Sequence, residues 1–86
     1  MSYALAFTAD SRVDFRELDV QLQELALDEL DRIAEAATPL PQGTFTRDLV
    51  HEASAGRHYL FMRLAVDEAK NSILVLGLAH YLRKSP

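Results

Sequence analysis

Imidazole, phenol and guanidinium groups are concentrated in the second half of this chain: His51, Arg57, His58, Tyr59, Arg63, His80, Tyr81 and Arg83. Such groups suit acid–base work on a phosphate ester. That chemistry needs a proton acceptor, a proton donor and cations for the charge that builds up on phosphorus. Imidazole fills either proton role near neutral pH, and a guanidinium clamps a phosphate through paired hydrogen bonds. An aromatic ring beside a cation stacks a base and holds its phosphate, which fits Tyr59 with Arg57 and Arg63 as substrate contacts. Plainer readings stand beside these. Arg63 would pair with Asp48 or Glu52 across a sheet. His80 and Tyr81 would simply end a strand, and His58 would be a hydrogen-bonded histidine at the rim of the core. The histidines are separated by seven and 22 residues. That spacing matches no familiar ligand set, so no metal site is expected. The absence of cysteine removes thiolate sites and disulfides.

For these groups to meet, the chain must put them on one surface. Residues 57–66 and 72–80 read as strands. Tyr59–Val66 is apolar apart from Arg63, and Ile73–Ala79 is apolar throughout. On the first of these, His58, Leu60, Met62, Leu64 and Val66 share the face expected to meet the helices. Tyr59, Phe61, Arg63 and Ala65 share the other. The polar loop Asp67–Asn71 makes the two strands antiparallel neighbours. Tyr59 is therefore expected to approach His80 and Tyr81, with Arg63 further along the same face and a tail carrying Arg83 folded over that end. A third strand over 44–52 carries Arg47 and His51.

The first half supplies the cover. Tyr3, Leu5 and Phe7 alternate with small residues, predicting a strand over 2–7. Thr8 is a hydroxyl N-cap for a helix over 9–18. Asp19 caps a second helix over 20–37, whose stripe runs through Leu22, Ala26, Leu30, Ile33 and Ala37. Thr38-Pro39 ends it. The order β-α-α-β-β-β predicts an α+β domain, two N-terminal helices packed on an antiparallel sheet, with residues 1–86 as a single domain.

The chain has 86 residues, 49% of them hydrophobic, close to the lower limit for one self-supporting core. Burial against a partner would add to a small margin of stability. Its net charge of −4 is uneven: residues 1–37 carry a net −6 and residues 38–86 a net +2. No apolar run approaches the ~20 residues needed to span a bilayer. The N-terminus lacks a basic segment and reads as structure, not as a signal peptide. A cytoplasmic protein without membrane contact is the expectation.

Three stretches together resemble the RelE/ParE toxin superfamily. They are the opening Tyr3-Ala-Leu-Ala-Phe-Thr-Ala-Asp10, the helix pair split at Leu18-Asp19-Val20-Gln21-Leu22, and Gly56-Arg-His-Tyr-Leu-Phe-Met-Arg63 with Asp67 and Ile73-Leu-Val-Leu-Gly-Leu-Ala-His80. The resemblance covers nearly the whole chain and lies in order and spacing. It implies a growth-inhibiting toxin of a type II toxin–antitoxin system, silenced by a cognate antitoxin. One branch of that superfamily cuts messenger RNA in the ribosomal A site without a metal or cofactor; another poisons DNA gyrase. For RNA cleavage the resemblance and the residue types together nominate His80, Arg63, Arg83, Tyr81 and His51 as catalytic, with Tyr59 and Arg57 binding substrate. This chain departs from the RNA-cutting pattern in three ways. Tyr59 stands where an arginine is usual, the second strand has no lysine, and only part of the C-terminal basic cluster is present. A protein-binding toxin, or an inactive homologue kept for antitoxin binding, is the alternative.

Overall fold

The structure, a computed structural model, describes residues 3–35 and 40–84. Its helices start where their capping residues demand. Strand β1, Ala4–Phe7, runs into Thr8, whose Oγ1 accepts from the Ser11 N–H and opens helix α1, Ala9–Glu17. Asp19 does the same for helix α2, Val20–Ala34, accepting from the Leu22 N–H at 3.1 Å. The expected extension of α2 through residues 36–37 and its stop at Thr38-Pro39 lie outside the described residues, as does Ser2 at the start of the first strand. Three strands follow: β2 Gly43–Ala53, β3 Gly56–Asp67 and β4 Ser72–Lys84. The segment read as a tail, 81–84, is the last third of β4, because its backbone pairs with the start of β3 through Tyr59↔Tyr81 and Arg57↔Arg83.

The sheet order is β1-β4-β3-β2. The last three strands form an antiparallel meander, and β1 joins the edge parallel to β4, with Ala4–Phe7 against Ser72–Val75. The sheet is thus mixed at that edge. A parallel neighbour needs a long crossover, which the helices and intervening strands provide. The parity expected for β3 holds: Leu60, Met62, Leu64 and Val66 are buried against α2's Leu22, Ala26, Leu30 and Ile33 in one core. In β4 the register steps between Arg63 and Leu64, where Leu76 is an extra residue. This bulge reverses the alternation, so that Ile73, Val75 and then Leu78 all face the core.

Helix α1 lies against the outer edge of β4. The Thr8 N–H and Ser11 Oγ both donate to the Val75 carbonyl, at 3.1 and 2.7 Å, and the Leu78 N–H donates to Asp14 Oδ2 at 3.4 Å. Satisfying this edge locally protects it from unwanted strand pairing. On the other flank the buried Glu29 of α2 accepts from Arg32 at 2.7 Å and faces Arg47 of β2 at 3.7 Å. Arg47 is therefore committed to joining helix and sheet.

The helices are shorter than the sheet they cover. The molecule extends 47 Å along its long axis. A helix the length of α2 spans only about 22 Å, whereas a strand the length of β4 spans about 43 Å. The end of the sheet formed by Ala53, Gly56 and Lys84, the distal end, projects beyond the core on both faces.

Candidate nucleic-acid interface

On the face turned away from the helices, strand pairing builds four adjoining rows. Glu52, Arg57 and Arg83 form the first; Val50, Tyr59 and Tyr81 the second; Asp48, Phe61 and Ala79 the third; Thr46, Arg63 and Gly77 the fourth. The rings make a strip. Tyr59 and Phe61 are nearly coplanar in orientation, 9° apart with centroids at 6.5 Å, and Tyr59 lies 6.2 Å from Tyr81. Tyr81 is 60% exposed and Phe61 41%, so these apolar surfaces face solvent and are not core. A shallow groove of about 390 Å³ runs between Tyr59, Phe61, Tyr81 and Arg83. A second, of about 330 Å³, adjoins it across Phe61 and is bordered by Arg63, Gly77, Ala79, Thr46 and Asp48. Gly77 leaves room there, since a Cβ at that position would meet nothing within 4 Å.

Charge is distributed unevenly along the strip. Arg57 is held by the Glu52 carboxylate across the hairpin. Arg63 and Arg83 take part in no ion pair among the described residues, so the cross-strand pairing of Arg63 with Asp48 or Glu52 does not form. The Arg57 guanidinium donates to the Tyr59 phenol and holds its pKa below the ordinary value for tyrosine, with Arg83 adding to the effect and burial opposing it. In return the Tyr59 oxygen and Glu52 raise the already high pKa of Arg57. A phenol flanked by two guanidinium groups gives up its proton more readily than a free tyrosine.

Of the residues nominated from sequence, the fold gathers Arg57, Tyr59, Arg63, Tyr81 and Arg83 on this face. It sends His51 and His80 to the other. The expected approach of His80 to Tyr59 does not occur, because the register partner of His80 is Leu60 and that of Tyr59 is Tyr81. Neighbouring residues of a strand point to opposite faces. His80 instead lies beside His58, whose Nδ1 stands 2.8 Å from His80 Nε2, and His58 is thereby the hydrogen-bonded rim histidine expected from its position. Two contributors were not among the nominated residues. Phe61 completes the aromatic strip, a role its place between Tyr59 and Arg63 in the alternation already implied. Glu52 orients Arg57, and only the register of the β2–β3 hairpin brings them together.

No family model matches the sequence, and no curated protein matches it. Solved structures do share its fold. A double arginine-to-alanine mutant of the E. coli toxin RelE in the free state is similar over 92% of this chain and 83% of its own, with a TM-score of 0.72 and 19% identity. RelBE2, a toxin–antitoxin complex from Mycobacterium tuberculosis, is similar over 94% of this chain and 93% of the matched chain, with a TM-score of 0.63 and 18% identity. The intact E. coli RelBE toxin–antitoxin complex matches over 95% of this chain, with a TM-score of 0.65 and 16% identity. With its helices placed before a strand meander and on one face of it, the chain has the fold of the RelE toxins.

Proposed function

We propose that this protein is the toxin of a toxin–antitoxin pair and that it inhibits growth by binding and cutting messenger RNA at the ribosome with the open face of its sheet. The observation that carries this reading is the strip of Tyr59, Phe61 and Tyr81 flanked by Arg63 and Arg83, solvent-facing and free of ion pairs among the described residues. Bases of a single strand stack on such rings, each worth about 1–3 kcal/mol, while guanidinium groups hold the phosphates between them. The fold shared with chains solved as toxin–antitoxin complexes supports a protein antitoxin as the partner.

In this reading cleavage uses no histidine. The Tyr59 phenolate, favoured by Arg57 and Arg83, takes the proton of the RNA 2′-hydroxyl. The 2′-oxygen attacks phosphorus, the bond to the 5′-oxygen breaks, and Tyr81 returns a proton to the leaving oxygen. Arg83 and Arg63 carry the extra charge on the phosphate. The products are a 2′,3′-cyclic phosphate and a free 5′-hydroxyl.

Induction in a bacterium, with protein synthesis and DNA supercoiling measured separately, tests the proposal. The expected result is early loss of protein synthesis with supercoiling unchanged, and rescue of growth by co-expression of the adjacent small reading frame. Altered supercoiling with translation intact would contradict it and assign the protein a gyrase-type target. A harmless protein without a partner would remove the toxin reading altogether.

A further inference from the structure

The helix-side face at the distal end of the sheet carries three imidazoles that the proposed function does not use. His51 is the register partner of His58, one strand over, and His80 lies diagonally across from His58 on β4. All three share one face, beyond the reach of α2, and His80 is exposed while the other two are half-buried. The ring centroids of His58 and His80 are 5.0 Å apart, and those of His51 and His58 are 6.0 Å apart.

The closer pair has the ring spacing of two imidazoles on one metal ion, and the other pair stands wider. With a zinc–nitrogen bond of about 2.0–2.1 Å and tetrahedral angles, two imidazoles on one ion have ring centres about 5 Å apart and bound nitrogens about 3.3 Å apart. His58 Nδ1 and His80 Nε2 already point at each other across 2.8 Å. Admitting an ion of this kind takes a gap wider by about half an ångström and a tilt of both rings, so that each nitrogen faces the ion and not the other nitrogen. As the side chains stand, no three of the His, Asp and Glu side chains among the described residues converge on one point. His51 must therefore swing in when the ion arrives.

We propose that His58 and His80, joined by His51, bind one divalent transition-metal ion, in the place now filled by the hydrogen bond between the two rings. The ring that donates in the free pair takes up its other tautomer, so both facing nitrogens are bare toward the ion and no net proton is released from the neutral pair. Water completes the coordination. Three imidazoles and no carboxylate or thiolate select zinc, copper or nickel and not magnesium or calcium. The ion would tie β2, β3 and β4 together at the end where the core gives no support. This site is independent of the reading of the open face, whose residues point the other way.

Titration of the metal-free protein with zinc chloride in a calorimeter, alongside melting curves, tests the inference. One zinc ion per chain and a higher melting temperature are expected, with no response to magnesium. His80→Ala and His51→Ala should each weaken zinc binding by about 10- to 100-fold or more, while unchanged circular dichroism reports the fold. Zinc should also shift the ring signals of all three histidines in an NMR spectrum and leave the Tyr59 and Tyr81 signals in place. No heat and no change in melting temperature in the wild type, or equal affinity in His80→Ala, would overturn the proposal.

Discussion

Tyr59 is held by two cations on one side and two aromatic rings on the other, so its phenol reports directly on the open face. Its pKa is lowered chiefly by the hydrogen bond from Arg57, with Arg83 contributing. Absorbance titration should find one tyrosine ionising at lower pH than the others. Arg57→Ala should move that transition back toward the ordinary value of about 10, and Arg83→Ala should move it part of the way. Because the folded-state pKa is depressed, ionisation of Tyr59 adds stability as pH rises through the lowered pKa. That contribution is complete only above the unfolded value and is lost as pH falls. The residue-scale reading from sequence succeeds on β3, where alternation is unbroken from Tyr59 to Val66. It fails at His80, because neighbouring residues of a strand face opposite ways and the bulge at Leu76 turns Tyr81, not His80, to the open face. Nothing local in an all-apolar run marks that extra residue.

At the scale of elements, the distal end depends on the β2–β3 hairpin, whose last paired residues are Ala53 and Gly56. Gly56 has φ +146, and a Cβ there would stand 2.2 Å from the Arg83 carbonyl oxygen and 2.9 Å from the Lys84 Cα. Gly56→Ala must therefore push β4 away from β3. Urea unfolding should show a loss of about 2–3 kcal/mol, with exchange of backbone amides rising first over residues 81–84. Ser11→Ala removes a buried hydroxyl whose acceptor, the Val75 carbonyl, keeps the Thr8 N–H, so a cost of only about 1 kcal/mol is expected. Leu30→Ala, at a site with no exposure, should cost about 3–5 kcal/mol. Helix starts were legible because a single side chain sets each one, as Thr8 and Asp19 do. The reach of β4 to Lys84 was not, since pairing with β3 and not local propensity makes Tyr81–Lys84 a strand. The parallel seating of β1 is likewise a long-range outcome that periodicity does not encode.

The whole molecule is a core at one end and a projecting sheet at the other, with different chemistry on the two faces of the projection. Helix α2 lies over the core, helix α1 lies at the β4 edge with Asp14 beside the Arg63 groove, and the aromatic strip lies on the open face. Among the described residues no helix is long and apolar enough to cross a membrane. A partner that wraps the projecting end should raise the melting temperature by mass action, which a scan with and without the adjacent gene product would measure. Whether the open face cuts messenger RNA is read from a map of RNA ends. Purified ribosomes with a defined message should yield new 5′ ends within A-site codons on addition of the wild-type protein. Tyr59→Ala/Arg83→Ala should reduce them by about 100-fold or more, while His80→Ala should leave them unchanged. Full cleavage by the Tyr59/Arg83 double variant, or loss of cleavage in His80→Ala alone, would contradict the account.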